Sequence, residues 1–285
     1  MRVLITGAKG LVGTALAEHC AAFGDAVIGY DHTGLDITDW DAVEKVVDKE
    51  RPDAIINCAA WTDVDGCETN AEKAMRANAH GPENLALAAM KANAAFITIS
   101  TDYVFDGEKE GFYTQRDQPR PISVYGSSKL EGERRAQQAN ARTIVVRSGY
   151  IFGPAGRNFL STIVSRAQRG EKLSAISDYW GTPTYGNDLA GRLRELAALD
   201  LPGVYHVVNS GEGASFETFT REALKLAGLS SDTLGVVNGS DLNRPAPRPQ
   251  NSRLKCLLSE AIGLPPLPDW HDALARFIST DYTDL

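Results

Sequence analysis

Tyr125 and Lys129 stand four residues apart in Tyr125-Gly126-Ser127-Ser128-Lys129, and on a helix that spacing sets both on one face. An ammonium near a phenol favours the phenolate, so the tyrosine pKa is expected to fall toward working pH. A tyrosine placed this way is a candidate general acid for a carbonyl undergoing reduction. Ser100-Thr101-Asp102 ends the apolar run one crossover earlier. Thr101 there can donate a hydrogen bond to the same carbonyl oxygen. A Tyr-x-x-x-Lys pair also occurs on solvated helix faces, so its weight depends on its surroundings.

Reduction needs a hydride donor, and the chain offers a place for one. Gly7-Ala8-Lys9-Gly10-Leu11-Val12-Gly13 lies between an apolar strand and an apolar-periodic helix. One glycine makes the tight turn, one admits a pyrophosphate close to the backbone, and one lets the helix pack on the strand. The helix N-terminus then offers free N–H groups and a favourable dipole to the phosphates. The second strand ends at Tyr30-Asp31. A carboxylate there can bind ribose hydroxyls and would repel a 2′-phosphate. Lys9 and His32 pull the other way, so NADH and NADPH both stay open. In Asp36-Ile37-Thr38-Asp39, Asp36 and Ile37 join the candidate cofactor set, and Thr38 or Asp39 can cap the next helix.

The elements that must position these groups alternate along the chain. Val3–Thr6, Ala26–Tyr30, Ala54–Asn57, Phe96–Ser100 and Thr143–Arg147 read as strands. Each is nearly all apolar, as a parallel sheet covered on both faces requires. Helices are expected at Leu11–Phe23, Trp40–Lys49, Ala71–Ala92 and Tyr125–Gln138. This alternation predicts an α/β fold, a doubly wound parallel sheet with helices on both faces. After Arg147 the glycine and proline content rises and the elements shorten. A helix over Asn187–Ala198, a strand over Val204–Val208, a helix capped by Ser215 and ending at Ala227, and a last helix over Trp270–Ile278 are expected. The division is soft: residues 1–150 for the dinucleotide, and 151–285 mainly a smaller α/β subdomain for the substrate. Strands beyond 150 are free to rejoin the first sheet.

With 285 residues the chain has no need of a disulfide or structural metal to fold. Its net charge of −8 disfavours electrostatic binding of nucleic acid. Cys20, Cys58, Cys67 and Cys256 show no C-x-x-C spacing and read as reduced thiols. Arg2-Val3-Leu4-Ile5-Thr6 reads as a strand and not as a signal peptide. No apolar run approaches the ~20 residues that span a bilayer. The cytoplasm is the expected compartment.

Taken together, Gly7–Gly13, Asn57-Cys58-Ala59-Ala60, Ser100-Thr101-Asp102-Tyr103-Val104-Phe105 and Tyr125–Lys129 resemble the extended short-chain dehydrogenases/reductases. Narrower words are similar to the dTDP-4-dehydrorhamnose reductase family. They are Ala59-Ala60-Trp61-Thr62-Asp63-Val64-Asp65, Ser100–Gly107, Gly181-Thr182-Pro183-Thr184-Tyr185 and Arg248-Pro249-Gln250-Asn251-Ser252. The resemblance implies a Rossmann-type fold and a Thr101–Tyr125–Lys129 triad. Tyr125 would protonate the C4 oxygen of a dTDP-4-keto-6-deoxy sugar as NADPH or NADH delivers hydride to C4. Lys129 would hold the nicotinamide ribose and tune Tyr125. Cys58, Ala59, Ala60, Asn78 and Ser100 would lie near the cofactor. Thr62, Val64, Tyr103, Phe105 and Tyr150 would face the sugar nucleotide, and Arg248 its diphosphate.

Departures from the pattern bear on partners and on rival functions. Some members dimerise around magnesium through a Glu two residues after the third glycine, where this chain has Ala15. No metal site is therefore expected, and the assembly is expected to be a monomer or a weak homodimer. Related dehydratases follow the strand-four Thr with Asp-Glu; here Asp102 precedes Tyr103, so the base for water elimination is missing. That favours simple reduction over dehydration or epimerisation. The β regulatory subunit of methionine adenosyltransferase resembles the same reductases, and an intact triad does not separate it from an enzyme. A reductase or epimerase of another 4-keto sugar nucleotide is a further alternative.

Overall fold

In the computed structural model, which describes residues 1–281, the five apolar runs are strands. They are β1 (Arg2–Thr6), β2 (Ala26–Tyr30), β3 (Ala54–Asn57), β4 (Ala95–Thr101) and β5 (Thr143–Ser148). A sixth, β6 (Gly203–His206), pairs in parallel with β5, from Gly203 against Ile144 to His206 against Arg147. A strand from beyond residue 150 thus completes the sheet. The order is β6-β5-β4-β3-β1-β2, all parallel. The chain starts at β1, steps out to β2, then returns to the other side of β1. That reversal opens a crevice at the carboxyl ends of β1 and β3, where open α/β sheets take their ligands.

Alternation of side chains across the strands explains the two helical layers. Val3, Ile5, Ile56, Ile97, Ile144 and Val146 pack on one face, against α1 (Leu11–Ala22) and α8 (Gly186–Leu199) through Leu16, Leu189, Leu193 and Leu196. Leu4, Ile55 and Phe96 pack on the other, against α2 (Trp40–Glu50), α5 (Gly81–Ala92) and α6 (Val124–Ala139) through Val43, Val47, Leu85 and Ala136. Each fully buried Leu, Ile or Phe contributes about 1.5–3 kcal/mol. A separate core gathers α7 (Phe159–Gln168), α9 (Phe216–Leu226) and α11 (Trp270–Asp281) around Phe152, Phe219, Trp270 and Phe277. Residues 282–285, the end of the expected substrate subdomain, lie outside the described residues.

The expected helix over 71–92 is divided. α4 (Ala71–Met75) and α5 flank a π turn, Arg76–His80. The widened turn presses the Asn78 carbonyl against α6, where a Cβ on Gly132 would stand 2.0 Å from it. Such π turns gather at functional sites. Two short elements escaped the sequence pattern: α3 (Val64–Thr69), capped by Asp63, and α10 (Leu257–Ala261). So did α7, whose cap is Asn158. At α2 the cap is Asp39, which accepts from Ala42 N at 3.1 Å. Thr38 instead gives its N–H and hydroxyl to Asp36.

Candidate active site

The glycine turn sits at the crevice, and each glycine has a reason. Gly7 adopts φ +67°, and a Cβ there would lie 2.7 Å from Ala59 N. A Cβ on Gly13 would lie 2.2 Å from the Gly7 carbonyl, so only glycine lets α1 seat on the turn. Gly10 starts α1, with no side chain capping it and no acid in the first turn. The helix N-terminus is thus uncapped and free of competing negative charge, which suits a pyrophosphate. Leu11 turns its side chain away: a Cβ on Gly186 would meet Leu11 Cδ2 at 2.6 Å. Only its backbone remains for a cofactor.

At the end of β2, Lys9 Nζ lies 2.5 Å from Asp31 Oδ2. Asp31 Oδ1 also accepts from Thr33 N, Thr33 Oγ1 and Gly34 N at 2.7–3.1 Å. These bonds, Lys9's first, hold the carboxyl well below the usual aspartate range. The two side chains read from the sequence as opposing influences are one ion pair. Asp36 is committed to Thr38, and Ile37 is buried beneath Gly81. The Ile37 side chain is thus closed to a dinucleotide, whereas Asp36 remains exposed with only Oδ1 engaged.

The β3 loop carries Cys58, Ala59 and Ala60 against the glycine turn. Burial pushes the Cys58 thiol up to about 12. Asn57 ties three strands, accepting from Thr6 Oγ1 at 2.7 Å and donating to Thr98 Oγ1 at 3.1 Å. Asn78 holds the next stretch of this loop: its amide pairs both ways with the Trp61 backbone, at 2.8 and 3.0 Å. It also donates to Ser128 Oγ at 3.0 Å, one turn from Tyr125 on α6.

Tyr125 and Lys129 are both buried on one face of α6. A Cβ on Gly126 would strike Tyr103 O at 2.3 Å, so that glycine lets the helix start against the β4 loop. Tyr103 meets Tyr125 edge-on, ring centroids 6.0 Å apart, and Trp61 and Val64 pack against the cluster that Tyr125 forms with Cys67 and Ala74. Thr62 is exposed on the loop before α3. The expected fall in the Tyr125 pKa is not found. Burial raises it above the ordinary tyrosine value, with nearby Asp102 adding to the rise and the Thr101 hydroxyl opposing it. Lys129 does not act on the phenol; its Nζ donates to Ile99 O at 2.6 Å. Burial lowers the Lys129 pKa to about 8.

Thr101 donates to Asp102 Oδ1 at 3.0 Å and accepts from Tyr103 N at 3.1 Å. Its proton therefore points first at Asp102, not into the crevice. Ser100, expected near the cofactor, turns its hydroxyl to Glu133, 2.5 Å away. Phe105 is fully buried and stacks on Tyr113 with centroids 4.3 Å apart. It is a core residue and does not face a substrate. Tyr150 has φ +47°, packs its ring 4.6 Å from Phe216 and donates to Tyr179 O at 3.2 Å. Arg248 forks onto Asp65, Nη1 to Oδ1 at 2.9 Å and Nη2 to Oδ2 at 2.8 Å.

Two acids at this site carry no role in the sequence reading's set of site residues. Asp65, one residue past Val64, is the counter-ion of Arg248 and also accepts from Ala246 N at 3.0 Å. Asp102 is fully enclosed beside Thr101, and burial raises its carboxyl to about 6. Ser252 donates to it at 2.5 Å. The available signal was position: an acid directly after Thr101 at a strand end has to find partners.

Among the described residues no group of three or more His, Cys, Asp or Glu side chains is placed to hold a metal. No helix among them is long and apolar enough to cross a membrane.

The RmlD substrate binding domain model matches residues 1–283. A dTDP-4-dehydrorhamnose reductase of Mycolicibacterium smegmatis is 37% identical over 276 residues, covering 96% of this chain and 84% of the relative. One from Mycobacterium tuberculosis is 36% identical, covering 98% and 92%. Among solved structures, a dTDP-4-dehydrorhamnose reductase of Clostridium acetobutylicum superposes with a TM-score of 0.94 at 34% identity over all of both chains. That of Bacillus anthracis, in complex with NADP, gives 0.94 at 33% over 98% of each. A UDP-glucose 4-epimerase of Thermotoga maritima, at 19% identity and a TM-score of 0.86, shares the fold. Matched over nearly its whole length by family model, sequence and structure, the chain belongs to the dTDP-4-dehydrorhamnose reductase family.

Proposed function

We propose that this protein reduces the C4 keto group of a nucleotide-activated 6-deoxy sugar, dTDP-4-dehydrorhamnose, to the alcohol, using NADPH or NADH. The observation that carries the reading is Tyr125, enclosed beside Thr101 at the carboxyl end of β4, with Lys129 one turn along the same buried helix face.

A dinucleotide fits the glycine turn: backbone N–H groups of Leu11 and Val12 would hold its pyrophosphate, and Lys129 would hold its nicotinamide ribose. The loop 58–60 and Asn78 complete that wall. When bound, the nicotinamide supplies hydride to C4. A reductase needs its acid protonated when the alkoxide forms, and the buried phenol of Tyr125 meets that need. Tyr125 gives its proton to the C4 oxygen. Thr101 turns its own proton from Asp102 to the same oxygen, and Ser252 keeps Asp102 held meanwhile. Val64, Tyr103 and Tyr150 shape the sugar site, and Thr62 borders it. Arg248 holds the diphosphate in exchange for Asp65.

Residues 1–150 thus serve mainly the cofactor and 151–285 mainly the substrate. The acidic composition and four unpaired thiols suit a reducing cytoplasm, and nothing in the mechanism needs more than one subunit. Incubation with NADPH, and separately with NADH, and a panel of 4-keto-6-deoxy sugar nucleotides tests the reading. Consumption of NADPH with a new C4 hydroxyl, seen by proton NMR, supports it; a protein that oxidises neither cofactor with any of them refutes it.

A further inference from the structure

Tyr125, Lys129 and Glu133 follow one another at intervals of four along α6 and form one buried stripe. The Glu133 carboxylate has three donors. Ser100 Oγ and Arg147 Nε reach Oε1 at 2.5 and 2.9 Å, and Arg147 Nη2 reaches Oε2 at 2.6 Å. Ser100 is on β4 and Arg147 on β5, so one carboxylate bolts the helix to both strands. Lys129 adds a fourth tie, to Ile99 O on β4. The β4 ends of these bonds, Ile99 and Ser100, are the two residues immediately before Thr101.

The reductase reading uses neither Glu133 nor Arg147. Stability alone is a weak reason for the pair, since apolar residues of similar volume often replace a buried ion pair at no loss. We propose that Glu133 and Arg147 are positioning residues that set the charge of Lys129, with Glu133 holding the ammonium charged in its buried site and Arg147 limiting that hold. The proposal rests on the reductase reading, because it assigns the charge of Lys129 to the binding of the cofactor ribose.

The charges argue it. Lys129, Glu133 and Arg147 together carry one net positive charge. Removing the charge of Glu133 leaves two buried cations, and the guanidinium cannot give up a proton, so Lys129 must. Removing that of Arg147 leaves Lys129 facing a carboxylate shared only with the Ser100 hydroxyl, which holds its proton more tightly. The other groups around Lys129 pull less than Glu133. On α6, Tyr125 is kept neutral by burial. From the β3 loop, the Cys58 thiol raises Lys129 in the same direction as Glu133, but less. β4 offers the Ile99 carbonyl, and Asp102 beyond its end is engaged with Ser252 and Thr101. The π turn contributes Asn78, an amide. Burial pulls Lys129 down and Glu133 is the leading influence pulling it up, with the balance at about 8.

The test is the pH dependence of NADPH binding, followed by cofactor fluorescence from about pH 6 to about pH 10, beside that of turnover. Wild type should lose affinity on a basic limb near pH 8. Glu133→Gln should move that limb to lower pH by about one unit, a tenfold loss of affinity above it, and Arg147→Gln should move it to higher pH. Glu133→Asp, which keeps the charge, should restore the limb even where overall affinity falls. Opposite shifts support the proposal. Limbs that stay in place while amplitudes fall, or that move the same way, overturn it and leave the pair a structural bolt. Should Glu133→Gln fail to fold, Glu133→Gln/Arg147→Gln has no unpaired buried charge and replaces it; its limb must still fall, because Glu133 is the stronger influence, and an unmoved limb overturns the proposal. Wild type that binds no NADPH at any pH instead refutes the cofactor reading.

Discussion

The Ser252 hydroxyl stands 2.5 Å from Asp102 Oδ2, joining residues 150 positions apart directly behind Thr101. Asp102 is enclosed; its hydrogen bonds come from two hydroxyls and nearby backbone N–H groups. The contact fastens the 248–252 segment to the end of β4. It also lets Thr101 release its bond to Asp102 without leaving the carboxylate bare.

A stability measurement follows from that contact. The folded pKa of Asp102 is raised to about 6 from 3.8, so the folded state binds the proton more tightly. Its contribution to stability is therefore largest at low pH and is lost as pH rises from about 4 to about 6. Thermal unfolding of wild type and Asp102→Asn across this range should show wild type losing stability relative to the variant, with a constant difference above. Parallel curves would mean that the carboxyl titrates as it does in the unfolded chain. Ser252→Ala should cost about 1–3 kcal/mol at neutral pH, because a buried anion loses a donor.

Arg248 has one fork and two claimants. Asp65 holds it in the structure, and the proposed mechanism gives it to a diphosphate. Arg248→Ala should raise the KM for the sugar nucleotide about tenfold to a hundredfold, as losing a charge-assisted bond of ~1.5–3 kcal/mol implies. Asp65→Asn removes the rival and should lower that KM. A KM raised equally by both substitutions would mean that the pair stays closed around the substrate, with Arg248 serving only as its hinge.

Cofactor choice turns on the Lys9–Asp31 ion pair. A 2′-phosphate brings ~−1.5 to −2 charges. It must take Lys9 from Asp31 and bear the remaining carboxylate; NADH disturbs neither. Wild type should use both cofactors within about tenfold, roughly 1.4 kcal/mol. Asp31→Ala frees Lys9 and should shift kcat/KM toward NADPH, and Lys9→Ala should shift it toward NADH. An unchanged ratio in Asp31→Ala would reduce Asp31 to the turn it makes with Thr33 and Gly34.

What could be read in advance depended on how local its cause is. The strands of the sheet announce themselves because burial on both faces demands apolar runs, and Gly13 because Gly7 and Ala8 crowd it from within the same turn, whereas the clash that demands Gly7 comes from Cys58 and Ala59 after another strand. Tyr125 and Lys129 share a face by helix geometry alone. The π turn at Asn78 answers to Gly132 on another helix, so nothing within 71–92 reveals it. Phe105 looked like a substrate contact because it sits in the β4 loop, and only the fold brings Tyr113 onto its ring. Asp65 and Arg248 meet across most of the chain. The phenol pKa was misjudged for a related reason: spacing sets Lys129 beside Tyr125, but Ile99 captures the ammonium and burial governs the phenol.

The most direct measurement is NADPH oxidation with dTDP-4-dehydrorhamnose by wild type and Tyr125→Phe, with NADPH affinity measured alongside. Wild type should consume NADPH in step with the keto sugar. Tyr125→Phe should turn over ~10²–10⁴ times more slowly, with cofactor affinity largely kept. Near-wild-type turnover in Tyr125→Phe, or a wild type that binds NADPH yet never oxidises it with this sugar, would contradict the account.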